Sequence, residues 1–230
     1  MRISNLVLDF YQEVFRENIV ETKNLMGFKN DQFNNPIMTP NFVLSSDLTK
    51  LEIEKQRKQL ACESLWFNCF NEFNPSNISL GKMILQPEYI VEKTTETFIS
   101  GKERYSYQQS VDNNYLKLVE ANSSNLNIVT QKKILSVFEL NKANFEFYLC
   151  RNQESDIVAG ATLIHTRRTT LLINGFVDFH SRGTGLFKRF FNNLRNHCYN
   201  RGTQSVFYWT YHPKLKGKSE LFQQLSIYKE

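Results

Sequence analysis

Hydrophobic and polar positions change their period along the chain, and each change marks an expected element. Near the N-terminus Val7, Phe10, Tyr11, Val14 and Phe15 recur at spacings of three and four, which predicts an amphipathic helix over 5–20. Residues 22–46 are rich in Asn and contain Asn-Pro and Thr-Pro, the composition of a long loop. Thr49 with Glu52 fits a capping box, and Leu48 with Ile53 a hydrophobic staple. A second helix is therefore expected from Thr49 to about Phe73, ended by Asn74-Pro75. Between Met83 and Gln109, the β-branched and aromatic run from Tyr89 to Ile99 favours strands, with a turn at Ser100-Gly101-Lys102.

Beyond Asn113 the order becomes regular. The pattern predicts a strand over Tyr115–Val119, a helix capped by Ser124 and reaching Leu140, and strands over Phe145–Cys150 and Ile157–Ile164. Turns fall at Asn152–Ser155 and Thr166–Thr169. An apolar, aromatic stretch from Leu171 suits a buried strand. It leads to a helix whose face is Phe187, Phe190, Phe191, Leu194 and Cys198, closed by Asn200-Arg201-Gly202 with glycine as a left-handed cap. A strand over Ser205–Tyr211 and a short helix from Ser219 complete the order β-α-β-β-β-α-β-α. No internal repeat is evident.

Composition bounds the function. With 230 residues, 41% of them hydrophobic, the chain can bury a sizeable core. The formal charge of +5 is unevenly placed. Residues 1–156 carry 17 bases and 20 acids, a net of −3, and residues 157–230 carry 11 bases and 3 acids, a net of +8. Between Asp156 and Glu220 the one acid is Asp178, against ten bases that include Arg182, Lys188 and Arg189. Such a one-signed stretch is a positive field suited to an anion. Cys62, Cys69, Cys150 and Cys198 form no CxxC pair and no metal-ligand spacing, so reduced thiols, a cytoplasmic location and no metal are expected. No run of about 20 apolar residues is present to cross a membrane, and the N-terminus has no signal-peptide pattern.

Candidate chemistry centres on Arg182-Gly183-Thr184-Gly185, between the strand and the helix. Two glycines let backbone approach a ligand closely, and a helix start offers unpaired N–H groups to an anion. A phosphate site follows. A dinucleotide fingerprint is matched only weakly, because Lys188 stands at its third glycine. Gly217-Lys218-Ser219 is no P-loop either, because the glycine needed five residues earlier is His212.

Strand, R-G-T-G loop and amphipathic helix together resemble the acyl-CoA-binding motif of the GNAT superfamily of N-acyltransferases. The motif, Gln/Arg-x-x-Gly-x-Gly/Ala, matches Arg182 and Gly185 and departs from the family at Phe187. The resemblance covers roughly half the chain. It implies an α/β (α+β) fold, with a GNAT-like mixed central sheet flanked by helices over 111–230 and a mainly helical extension over 1–110. It implies acetyl-CoA or another acyl-CoA as co-substrate, bound by Val177, Phe179, Arg182, Gly183, Thr184, Gly185, Leu186 and Phe187. The family often protonates the leaving thiolate with a tyrosine in the last helix, where this chain has Phe222. Asp178 and Tyr211 (or its neighbour Tyr208) are then the candidates for proton transfer. The implied partner is a small-molecule or peptide amine. The family's last two strands are missing, so residues 83–109 or a homodimer would complete the sheet. Alternatives are a Fem-like transferase using aminoacyl-tRNA, suggested by Ser100-Gly-Lys-Glu-Arg104, and a non-catalytic GNAT-like binding protein.

Overall fold

The computed structural model describes residues 5–15, 19–22, 25–28, 42–44, 66–68, 88–95, 104–108, 112–122, 127–210 and 221–225. Contacts divide the chain into two compact units, one of Lys93–Tyr208 and one of Met1–Glu92 with Trp209–Glu230. In chain order the elements are α1 (Asn5–Val14), β1 (Ile19–Thr22), β2 (Leu25–Phe28), β3 (Phe42–Leu44), β4 (Trp66–Asn68), β5 (Glu88–Thr94) and β6 (Arg104–Gln108). Then come α2 (Asn113–Asn122), α3 (Ile128–Leu140), β7 (Asn144–Arg151), β8 (Ile157–His165) and β9 (Thr169–Val177). α4 (Leu186–Asn200), β10 (Ser205–Thr210) and β11 (Leu221–Leu225) follow.

In the unit of Lys93–Tyr208 five strands form a mixed sheet in the order β10-β9-β8-β7-β6. β6, β7, β8 and β9 are antiparallel to their neighbours, and β10 is parallel to β9. Side-chain alternation sends the strands' two faces to different helices. Tyr148, Cys150, Ala159, Ala161 and Leu163 pack with Leu186, Phe190, Leu194 and Cys198 of α4. Phe147 meets the Tyr115 ring of α2 with centroids 5.0 Å apart. α3 lies with α2, where Gln131 Nε2 donates to the Leu116 carbonyl at 3.3 Å. Helices on both faces explain why β7 and β8 read as continuous apolar runs. Gly160 is required by packing: a Cβ there would stand 2.7 Å from Tyr115 Cε2, 3.0 Å from Phe176 Cε1 and 3.1 Å from Leu149 Cδ2.

The strand expected over Tyr115–Val119 is helix α2. Asp112 caps it, its Oδ1 accepting from the amides of Asn114 at 2.7 Å and Tyr115 at 3.3 Å. Tyr115, Leu116 and Val119 then share one buried helix face, so tertiary packing overrides their β propensity. α3 is capped by Asn127, whose side chain accepts from Thr130 N at 2.8 Å; Ser124 lies outside the described residues. β7, β8, β9, α4 and β10 lie where the pattern placed them. α4 closes as expected in a Schellman motif, with Gly202 at φ 84°, Gly202 N donating to Tyr199 O and Thr203 N to Cys198 O. Ahead of β10, Thr95 donates its amide to Gln204 O at 3.0 Å and its hydroxyl to Thr203 O. Thr95, from the 83–109 stretch, thus pairs with the turn that leads into β10.

In the other unit α1 buries Phe10, Tyr11 and Val14, and Phe15 just beyond its end is buried as well. The helix ends at Val14 rather than near residue 20, and Ile19–Thr22 are already a strand. β1-β2-β3-β4 form a sheet, so the stretch read as a loop over 22–46 contains β2 and β3. β1 to β3 are antiparallel neighbours and β4 is parallel to β3, the same succession of pairings as β7 to β10. Trp66–Asn68, expected within a helix, are strand β4; residues 49–65 and 69–73 of that helix lie outside the described residues. The helix expected from Ser219 is contradicted. Leu221–Leu225 form β11, antiparallel to β5, with Phe222 opposite Val91. Apolar residues at 221, 222 and 225 fit a helix face, but pairing with β5 decides the outcome. Phe222 is thus no counterpart of the family's helical tyrosine.

Candidate active site

β9 carries the site to its place. Its ladder with β8 runs regularly to Thr162↔Ile173, then resumes at Gly160↔Phe176, so Asn174 and Gly175 together oppose Ala161. This is a β-bulge, a feature that bends a strand and re-aims its groups. Asn174 sits at φ 52°, in the left-handed region that asparagine tolerates better than most residues. Its carbonyl accepts from the Tyr115 hydroxyl at 2.8 Å. The side chain is only 4% exposed, and among the described residues neither Nδ2 nor Oδ1 has a partner. Burying an amide without a partner costs roughly 1–3 kcal/mol. Asn174 was missed at the sequence level, although Asn-Gly inside an apolar run is a recognisable bulge signal.

Past the bulge, Val177 ends β9 and Asp178 begins a 3-10 turn over Phe179–Ser181. Asp178 N donates to Val158 O at 2.9 Å, and its carboxylate accepts from His180 N at 3.0 Å. This carboxylate is the turn's cap. Arg182 then ties the turn down. Its Nε donates to Val177 O at 3.1 Å, its Nη2 to Asn122 O and Oδ1 at 3.2 Å each, and its guanidinium lies 5.6 Å over the Phe179 ring. Phe179 itself is 70% exposed.

Gly183 and Gly185 both take positive φ, 78° and 80°. Added Cβ atoms would meet nothing within 4 Å at Gly183 and only Arg189 Nη1 at 3.7 Å at Gly185. Glycine is therefore demanded by the backbone angle and not by crowding. Between them, Thr184 Oγ1 donates to Ser181 O at 2.7 Å. Gly185 is the N-cap of α4 and supplies no side-chain cap. In that first turn Leu186 N donates to Thr184 Oγ1 at 3.4 Å, and a helix start of this kind is where an anion can be held. Leu186 is buried in the core, whereas Phe187 is 46% exposed and stacked on Phe191 at 5.8 Å. The helix face is thus Leu186, Phe190, Phe191, Leu194 and Cys198, with Phe187 at its solvent edge.

The basic field is less concentrated than its sequence suggests. Arg182, Lys188 and Arg189 are exposed at the loop. Arg167 and Arg168 lie in the turn before β9 and Arg201 at the end of α4, the opposite ends of the elements that meet at the loop. Lys214, Lys216, Lys218 and Tyr211 lie outside the described residues. Tyr208 is described: it pairs in register with Leu172, and its ring meets Phe191 edge-on at 5.5 Å. Burial raises its pKa, so it stays protonated at neutral pH.

At that opposite end Glu146, 1% exposed, holds three partners. Its Oε1 meets His165 Nε2 at 3.0 Å and His197 Nε2, and its Oε2 meets Arg201 Nη1 at 3.4 Å. Burial alone would raise the Glu146 pKa. The hydrogen bonds from His165 and His197 and their charge outweigh it and hold the carboxyl at about 2. Burial lowers His165 below its ordinary value, against the pull of Glu146. His197 and Cys198, next to one another in sequence, part company: Cys198 is buried in the core and its thiol is pushed up to about 12.

No model of a known protein family matches this chain, and no curated protein sequence matches it. Solved structures do. A GCN5-related N-acetyltransferase from Kribbella flavida superposes with a TM-score of 0.59 over 99% of this chain and 96% of its own, at 13% identity. A functionally unknown conserved protein from Staphylococcus epidermidis gives 0.56 over 93% and 94%, also at 13% identity. The fold is that of the GNAT superfamily. A tandem GNAT protein from the clavulanic acid biosynthesis pathway agrees, at 0.51 over 83% of this chain and 76% of its own, with 8% identity.

Proposed function

We propose that this chain is an N-acyltransferase that moves an acetyl or other acyl group from CoA to an amine acceptor. The observation that carries this reading is the loop of two left-handed glycines leading into the uncapped, base-flanked start of α4. Amides of Gly183, Thr184, Gly185, Leu186 and Phe187 would take the pyrophosphate of acyl-CoA, and the helix dipole would favour its charge. The backbone of Val177 and Phe179 would pair with the pantetheine arm. Arg182, spent on carbonyls of β9 and α2, shapes the loop instead of neutralising the ligand.

In the reaction the amine nitrogen attacks the thioester carbon, whose carbonyl electrons move onto oxygen. Collapse of that oxyanion breaks the C–S bond, the attacking nitrogen gives up one proton to solvent, and the thiolate takes a proton. Tyr208 or Tyr211 is the candidate donor, and burial keeps Tyr208 in the protonated form such a donor needs. Asp178 is assigned to holding the turn. The GNAT fold supports acyl transfer, and the Fem-like and non-catalytic alternatives gain nothing from the comparisons. Among the described residues no helix is long and apolar enough to cross a membrane. The test is thiol release from acetyl-CoA with a broad panel of small amines and peptides. Amine-dependent release supports the reading, and tight acetyl-CoA binding without release on any amine overturns the enzymatic part.

A further inference from the structure

We infer that the Asn174 carboxamide contacts the reacting acyl group directly, with Nδ2 donating to the thioester carbonyl oxygen and Oδ1 accepting from the incoming amine. This rests on the acyltransferase reading and assigns a side chain to the acyl site that the loop alone does not supply.

Three observations meet at this residue. It occupies the bulge of β9, two positions beyond Leu172, where the described β9–β10 pairs end at Tyr208↔Leu172. It adopts a positive φ within a strand, a conformation that persists only where surrounding structure enforces it. Its donor and its acceptor are both buried, and among the described residues both lack partners. The surroundings account for the backbone and leave the side chain unexplained. Tyr115 fixes the Asn174 carbonyl through its hydroxyl, and the same hydroxyl lies 3.3 Å from Thr162 Oγ1. Ile173 and Phe176 on either side of the bulge are buried apolar residues. A neutral carboxamide in such a setting suits a ligand group that is neutral and offers one acceptor and one donor. A thioester carbonyl beside an uncharged amine is that pair. As the amine attacks, negative charge grows on the carbonyl oxygen and positive charge on the nitrogen. Both hydrogen bonds then strengthen together, which is how a preorganised amide lowers a barrier.

The test compares acetyl-CoA with CoA lacking an acyl group, by calorimetry, on the wild-type chain and on Asn174→Gly and Asn174→Asp. Glycine accepts the positive φ and removes the unpartnered amide, so its melting temperature should equal or exceed that of the wild type. Asp keeps the shape and removes the donor. Both variants should bind CoA within about threefold of the wild type, while the preference for acetyl-CoA over CoA falls about tenfold, about 1.4 kcal/mol. An unchanged preference in both variants overturns the inference and leaves the acyltransferase reading standing, as does a glycine variant that melts well below the wild type because the side chain then serves the fold. A wild-type chain that binds neither acetyl-CoA nor CoA overturns the reading itself, and the inference with it.

Discussion

Single residues divide the site into parts that hold it and parts that act. Asp178 and Arg182 are the most chemically suggestive side chains in the sequence, yet Asp178 spends its carboxylate on the turn's backbone and Arg182 its guanidinium on the ends of β9 and α2. Tyr208 carries the opposite lesson: it is an unremarkable strand residue by pattern, but burial keeps its hydroxyl protonated beside α4. If it delivers the proton to the leaving thiolate, Tyr208→Phe should lower turnover by about 10²–10⁴ with acetyl-CoA affinity unchanged. Steady-state kinetics and calorimetry on the same variant check this, and turnover within a few-fold of wild type would move the role to Tyr211. The glycines at 183 and 185 were legible as a turn, and their positive φ is a conformation that favours glycine. The use of Asp178 was not, because a carboxylate looks the same in sequence whether it caps a turn or takes a proton.

Elements were legible where one physical signal dominated. β7, β8 and β9 are apolar runs bounded by turns, and α4 has the strongest amphipathic face among the described helices. α2 was not legible, since Tyr115, Leu116 and Val119 suit a short strand until Asp112 caps them into a helix. That helix meets the sheet at Gly160, directly under Tyr115. Gly160→Ala should destabilise the unit by about 1–3 kcal/mol through overpacking, measurable in denaturant unfolding. At the far end of α4, Glu146 fastens the last turn to the sheet through His197, His165 and Arg201. Its folded pKa, about 2, is below its unfolded value, so its stabilisation is present above the ordinary carboxylate range and is lost as pH falls toward 2. His165 acts in the same sense: depressed when folded, it favours unfolding once pH drops below its ordinary value near 6.5. Glu146→Gln should lower stability at pH 7 and flatten the loss between pH 4.5 and pH 3, with urea midpoints across pH as the measurement. A variant whose acid limb matches the wild type would show that another group sets it.

At the scale of the whole molecule, two units repeat one succession of strand pairings, two antiparallel and then a parallel one. No repeat was visible in the sequence, because short strands of Val, Phe and Leu carry too little pattern beside Asn-rich segments. The units differ where chemistry is concerned. β9 is followed by Arg182-Gly183-Thr184-Gly185, but β3 is followed by Ser45-Ser46-Asp47, which has no glycine and adds an acid. One anion site per chain is therefore expected. The charge asymmetry, net −3 before residue 157 and +8 after it, points to the same unit. The most direct test is calorimetric titration of acetyl-CoA into the wild-type chain and Gly185→Val. At position 185 a β-branched residue opposes the φ of 80° and closes the ligand's approach. The account predicts one acetyl-CoA bound per wild-type chain and affinity reduced roughly 10²-fold in the variant, about 2.8 kcal/mol. Equal affinity in the two proteins, or no binding by the wild type, would contradict it.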